Sequence, residues 1–191
     1  MQTISLLNVA ASDSRGGAAR GTYRVHKSIQ AARPSHSVQS EMLVTHKGTS
    51  DASVSTVAKF EVCSYASLLT RRITSVERWL QRSEDKALRS TALLPSTALG
   101  QIRSRSPDVV MLHWLGNYSL SIRQLGALFN DCRPVIWRLS DAWAFSGAEH
   151  YPELGENIPR FQAGYDRINR PSGDRGLARR SGEDRFEEFG L

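Results

Sequence analysis

Residues 4–33, ISLLNVAASDSRGGAARGTYRVHKSIQAAR, constrain the fold more than any other stretch. A short apolar run, Ile4 to Val9, breaks into a small and polar loop that ends in Gly16 and Gly17. A helical pattern follows at once. Strand, Gly-rich turn and helix in that order open an α/β sheet. The same turn suits an anion. Gly permits positive φ and close backbone approach, and a helix N-terminus presents N–H groups with a partial positive charge. The loop has neither the spacing of a dinucleotide fingerprint nor the Lys of a P-loop. By itself it gives an α/β fold, with phosphate binding one reading and a plain structural turn the other.

The alternation recurs along the chain. Residues 3–9 read as a buried parallel strand, since the run is nearly continuous in apolar character. Residues 18–32 read as a helix with Tyr23, Val25, Ile29 and Ala32 near one face, closed by Pro34 and Ser35. VQSEMLVT, 38–45, reads as a second strand, and 47–56, rich in Gly, Ser, Thr and Asp, as a loop. A short helix is expected over 97–106. Residues 108–113, DVVMLH, are a buried strand and Trp114 to Tyr118 a loop. Residues 119–130 are an amphipathic helix with Ile122, Leu125, Leu128 and Phe129 inward, and 134–139, PVIWRL, are the next strand. Strand–helix–strand with short connections implies right-handed parallel crossovers. The expected fold is α/β: a three-layer Rossmann-like domain over residues 1–152, with a parallel sheet containing 3–9, 38–45, 108–113 and 134–139. Residues 153–191 mix Arg, Asp, Glu and Gly with few apolar side chains and read as a mobile polar tail.

A chain of 191 residues can bury one ordinary core. Its net charge of +6 and isoelectric point near 9.7 suit nucleotide phosphates or an acidic membrane surface, or describe only a soluble basic surface. The helical stretch 57–82 carries Phe60, Tyr65, Leu68, Leu69, Ile73, Val76 and Leu80 beside Arg71, Arg72, Arg78 and Arg82. It is either a solvated face over a core stripe or a surface that lies on an anionic membrane. Arg is spread along the chain and interleaved with acids, which argues against nucleic acid as a partner. Cys63 and Cys132 lie far apart and offer neither metal spacing nor a disulfide framework; both are expected to pack as small hydrophobes. No secretory signal and no spanning apolar run is legible. The expected location is cytoplasmic, with any membrane contact peripheral and on the inner face.

In open parallel sheets ligands bind beyond the carboxyl ends of the strands. Segments 10–17, 113–118 and 140–151 are therefore expected to meet at one edge. His113 and Trp114 end one strand. Asp141, Trp143 and Phe145 follow another, with Glu149, His150 and Tyr151 soon after. Imidazoles and carboxylates accept from sugar hydroxyls, and aromatic faces cover the apolar face of a pyranose. Asp141 or His113 has the chemistry of a general base toward an acceptor hydroxyl. Each also has a plain reading: His113 a satisfied core histidine, Asp141 a cap or turn residue, Trp114 and Trp143 core packing.

The three segments ASDSRGGAARGTYRVHKSIQ, PDVVMLHWLGNYSLSI and RPVIWRLSDAWAFSGAEHY, in this order, closely resemble the N-terminal half of bacterial GT-B glycosyltransferases of the family-four type. Those enzymes build exopolysaccharide and colanic-acid-like sugars. The likeness spans roughly residues 3–152, about four fifths of the chain. It implies a Rossmann-like acceptor-side domain that closes over a nucleotide-sugar. By motif match, Gly16 and Gly17 lie against the donor phosphates; His113, Trp114 and Asp141 face the cleft, with Trp143 and His150 beside them. It implies a hexosyltransferase without metal or cofactor, since helix dipoles and basic side chains offset the leaving diphosphate. It implies as partners the nucleotide-sugar and a glycan or lipid-linked acceptor. Two departures stand out. Where the family has His before Asp, this chain has Ser140. The donor-binding second domain, well over 100 residues, has no counterpart in 152–191. The chain is thus expected to be the N-terminal half of such an enzyme, inactive alone: a natural fragment, a split subunit whose donor domain is carried by a second polypeptide, or a truncated gene product. The alternative is a non-catalytic binding module or split-enzyme subunit that kept the fold.

Overall fold

A computed structural model describes residues 3–32, 37–57, 90–116, 119–146 and 149–151. The chain divides into two compact units: 1–59 with 94–140, and 60–93 with 141–191. The helix expected over 57–82, Cys63, the boundary at 152 and the polar tail lie outside the described residues.

The first unit is an α/β Rossmann-like arrangement. Its strands are β1 (Ile4–Ser12), β2 (Val38–His46), β3 (Val54–Thr56), β4 (Val109–Leu112) and β5 (Val135–Trp137). They form one parallel sheet in the order β3-β2-β1-β4-β5. Helices α1 (Gly16–Ala31), α2 (Ala98–Arg105) and α3 (Ile122–Phe129) lie among them in sequence. β1 is central, in register with β2 from Ile4↔Val38 to Ser12↔His46 and with β4 from Leu6↔Val109 to Val9↔Leu112. Every β1 residue from Leu6 to Ser12 is buried. That double-sided burial is why the strand reads as a run and not as an alternation. Successive strands step outward from β1 to β3, then the chain returns to the other side of β1. This places the topological switch point between β1 and β4.

Several expectations change in detail. β1 runs on past Val9, because Ala10 pairs with Val44 and the Ala11 N–H donates to the Trp114 carbonyl at 2.9 Å. The segment expected as a loop contains β3, a three-residue strand paired to Met42–Val44. α1 buries Ala19, Thr22 and His26, whereas Tyr23, Val25 and Ile29 are half-buried and Ala32 is exposed. The sheet-facing stripe is made of small and polar residues, so apolar periodicity points beside it. α3 buries Ile122, Leu125 and Leu128, but Phe129 at its last turn is partly exposed and meets the Trp137 ring at 6.2 Å. Cys132 is exposed with φ of 57°, in the turn after α3, and does not pack as a core residue.

α3 starts at Ile122 because Ser121 caps it. The Ser121 hydroxyl accepts from the Gln124 N–H at 3.2 Å, and Gln124 Oε1 accepts from the Ser121 N–H at 3.0 Å. The Gln124 amide also binds both backbone groups of Ser96, at 3.0 and 2.6 Å. α2 is tied to the α3 terminus by Arg103, whose guanidinium donates twice to Asp131 at 2.9 and 2.7 Å. At the amino edge of the sheet, Asp108 accepts from the Ser5 N–H and hydroxyl, both at 2.7 Å. Among the described residues no helix is long and apolar enough to cross a membrane.

Because Gln124 serves both the cap and the Ser96 segment, Gln124→Ala is expected to cost more than Ser121→Ala. The expected losses are about 2 and about 1 kcal/mol of unfolding free energy. Urea titration of both variants checks the order, and equal losses would show that the Ser96 contacts carry no weight.

Candidate functional site

The switch point between β1 and β4 holds four of the features read from sequence. After β1, the Ser12 hydroxyl accepts from the Ser14 and Arg15 N–H groups at 3.3 and 3.2 Å, turning the chain. α1 then starts at Gly16 with φ of 86°, a left-handed conformation that L side chains rarely adopt. Arg15 at the N-cap makes no side-chain cap, and the first turn holds no acid. Among the described residues no atom comes within 4 Å of where a Cβ would stand on Gly16 or Gly17. The room those glycines leave is not used by neighbouring side chains.

The turn is braced from the connection that follows β2. Buried Asp13 accepts from the Gly48 N–H at 2.7 Å, the Thr49 N–H at 3.0 Å and the Thr49 hydroxyl at 2.6 Å. Burial pushes its carboxyl upward, but the Thr49 and Gly48 hydrogen bonds together outweigh that and hold it below the ordinary carboxylate range. Gly48 is required by closeness: a Cβ there would stand 2.1 Å from the Ser14 Oγ and 3.0 Å from its Cβ.

β4 delivers His113. Its N–H donates to the Val9 carbonyl at 3.0 Å, so the residue continues the β1 pairing just beyond the strand. Its side chain is 1% exposed, and Nε2 faces the Asn8 Oδ1 at 3.0 Å. Burial pushes its pKa from 6.5 down to about 4, with the Arg138 charge adding to the effect. A base of that strength is unprotonated at neutral pH and takes up a proton poorly. His113 is therefore suited to accepting a hydrogen bond. Trp114 folds back over its own loop. A Cβ on Gly116 would stand 2.4, 2.5 and 2.9 Å from three atoms of the indole.

Arg138 was not singled out by sequence. Its N–H donates to the Leu112 carbonyl at 2.8 Å, extending the β4–β5 ladder. Its guanidinium lies over α1, 3.8 and 3.9 Å from where a Cβ on Gly21 would stand. An exposed cation thus follows the carboxyl end of β5 beside α1. The signal was available: Arg138 falls inside the same motif as Ser140 and Asp141. The cavity described for this unit, about 230 Å³, lies elsewhere. Ser5, Leu6, Leu7, Gln39, Glu41, Arg105 and Pro107 line it, toward the amino ends of β1 and β2.

Asp141, Trp143 and His150 belong to the second unit, described by itself. Asp141 Oδ1 accepts from the Trp143 N–H at 3.0 Å, and Oδ2 meets His150 Nδ1 at 2.5 Å. His150 Nε2 lies 2.8 Å from the Ser90 hydroxyl. Trp143, 2% exposed, stacks on His150 at 6.0 Å and donates its Nε1–H to the Ser90 carbonyl at 2.6 Å. The Ala142 N–H donates to the His150 carbonyl, and the Ser146 hydroxyl to that of Glu149. Ser90, His150 and Asp141 follow the hydrogen-bond order of a hydrolase triad. Here the imidazole is sealed under an indole, and the cluster ties residues 141–143 to His150 and Ser90. Ser90 was missed because nothing near it in sequence marks it. Phe145 and Tyr151 are exposed. Among the described residues no group of three His, Cys, Asp or Glu is placed to hold a metal ion. No family model, curated protein or solved structure matches the chain.

His113 and His26 both have pKa values lowered, first by burial. Both are neutral when folded and charge more readily when unfolded, so the unfolded state binds more protons as pH falls. The His113 contribution is present above about pH 6.5 and is lost on descending toward pH 4, and that of His26 is lost in the same direction. For His113 alone the drop from 6.5 to about 4 corresponds to about 3 kcal/mol. The lowered carboxylates add to the loss only below about pH 5. Urea unfolding at pH 7.5, 6, 5 and 4.5 should show stability falling throughout; a flat profile refutes the burial of neutral imidazoles. Separately, Gly116→Ala should displace the Trp114 indole at about 1–2 kcal/mol. The Trp114 ring N–H signal reports it, and an unmoved signal excludes the packing described.

Proposed function

We propose that this chain supplies the acceptor-side domain of a glycosyltransferase that moves a sugar from a nucleotide-sugar to a glycan or lipid-linked acceptor. The observation that carries the reading is the gathering of the Gly16–Gly17 turn, His113, Trp114 and Arg138 at the carboxyl ends of β1, β4 and β5. In this reading the α1 N-terminus and Arg138 offset the charge of the diphosphate, and Gly16 and Gly17 admit it. His113 accepts a hydrogen bond from a hydroxyl and Trp114 covers an apolar sugar face. Asp141 stays as the carboxylate of the family motif, with both oxygens engaged by its own loop.

A non-catalytic binding module is the second reading, favoured by two observations. Ser140 stands where the family has His, and His113 is a weak base. Both readings use the same site and differ in turnover.

Titration of the ¹⁵N-labelled chain with uridine and guanosine diphosphate sugars, watched by amide shifts, tests the site. Shifts are expected at Gly16, Gly17, His113 and Trp114, with millimolar affinity. Arg138→Ala should weaken binding about fivefold, as befits an exposed charged contact worth about 1 kcal/mol. Mass spectrometry of the same mixtures reads sugar transfer and hydrolysis: release marks an enzyme, binding without release a module. Shifts confined to Ser5, Gln39, Glu41 and Arg105, or no shifts at all, would sink the proposal.

A further inference from the structure

A row of polar side chains, half-buried at Asp51 and Ser53 and buried from His26 inward, runs through the first unit from the β2–β3 connection to His113, and its donors and acceptors can be assigned from both ends. At one end stands the Asn8 amide. The Glu41 backbone carbonyl, which can only accept, lies 3.0 Å from Asn8 Nδ2. This fixes which way the amide faces. The same Nδ2 donates to the Ser40 hydroxyl oxygen at 2.9 Å. The Asn8 Oδ1 is left as a pure acceptor toward His113 Nε2, so that nitrogen carries the proton. At the other end stands the Asp51 carboxylate. The Ser53 hydroxyl donates to Asp51 Oδ1 at 2.6 Å, so its oxygen accepts from His26 Nε2 at 2.9 Å. His26 Nδ1 is then bare and accepts from the Ser40 hydroxyl at 2.9 Å. The two derivations meet at Ser40 without conflict: it donates once and accepts once. All five bonds point toward the same anion.

We propose that Asn8, oriented by the Glu41 carbonyl, is a positioning residue that holds His113 as the Nε2-protonated tautomer at the inner end of a hydrogen-bonded row running through Ser40, His26 and Ser53 to Asp51, leaving Nδ1 as the atom that accepts a hydrogen bond from a ligand hydroxyl. Only the ligand role rests on the function proposed above; the tautomer stands on the hydrogen bonds. Nδ1 of His113 is buried and has no partner among the described residues. A buried acceptor left unmatched is destabilising, and a hydroxyl donor relieves that cost. Burial keeps the ring neutral, so the lone pair stays available. The row is structurally central: Asn8, His26 and His113 are each at most 1% exposed.

Long-range ¹H–¹⁵N spectra of the histidine rings, taken on the full chain at pH 7, test this directly. His113 and His26 should each show a protonated Nε2 and a bare Nδ1. A protonated Nδ1 on His113, or signals averaged between tautomers, overturns the proposal. Ser53→Ala is a mild change at the far end; it should release His26 into a mixture while His113 keeps its form. An unchanged His26 overturns the part of the row beyond Ser40. Asn8→Leu should leave His113 without a single tautomer, and the unsubstituted chain decides the question if that variant does not fold. Finally, saturation with a uridine diphosphate sugar together with an oligosaccharide should shift the His113 Nδ1 signal toward that of a hydrogen-bonded acceptor. The right tautomer with an unmoved Nδ1 overturns the ligand role and leaves the row standing; the wrong tautomer overturns the row itself.

Discussion

One side-chain amide, Asn8, joins the middle of this sheet to both of its halves. It sits on the central strand, wholly buried, between strands that pair with it on either side. Its two protons go to β2, at Ser40 and Glu41, and its oxygen goes to the residue that ends β4. An amide buried without partners costs several kcal/mol, whereas a satisfied one is near neutral. The penalty enforces register, since a slip of one residue would turn Asn8 to the other face of β1. The apolar neighbours Leu7 and Val9 tolerate many packings; Asn8 tolerates few.

The parallel sheet was legible because parallel strands covered on both faces read as apolar runs, as β1, β4 and the Met42–Val44 part of β2 do. β3 was not. Val54-Ser55-Thr56 is three residues inside a Gly-, Ser- and Asp-rich stretch, and it forms because β2 offers it a ladder. The face of α1 was misread for a related reason. The residues that meet the sheet are Ala19, Thr22 and His26, two of them polar and hydrogen-bonded: Thr22 to the Ala18 carbonyl, His26 to Ser40 and Ser53. Periodicity weighed by hydropathy cannot find a stripe whose burial is permitted by hydrogen bonds.

The site divides in the same way. Gly16, Gly17 and His113 were legible because strand ends and glycines have fixed meanings in open sheets. Asn8, Ser40 and Asp51 were not, since their part depends on which atoms face one another across β1 and β2. Arg138 looked like one arginine among many until its place over Gly21 became visible. Ser90 and His150 lie 60 residues apart and meet only in the folded second unit.

Ending a buried row of dipoles on Asp51 has an energetic logic. Asp51 is not itself deep. It accepts from the Tyr23 hydroxyl, the Lys27 ammonium, and the Ser53 N–H and hydroxyl. The Ser53 bonds foremost, then those of Lys27 and Tyr23, hold its carboxyl well below the usual range. The charge is thus compensated near the surface, and only neutral groups are carried inward, which avoids the desolvation of a buried ion pair. Each neutral member is polarised in the same sense by its neighbour, and hydrogen bonds in such chains strengthen one another. At the far end the His113 Nε2–H is drawn toward Asn8, which enriches the ring at Nδ1. Burial meanwhile disfavours the imidazolium. Acceptor strength and basicity, which rise together in water, are here set by different parts of the fold. The result is an imidazole with a bare, buried acceptor at Nδ1 and little tendency to take up a proton.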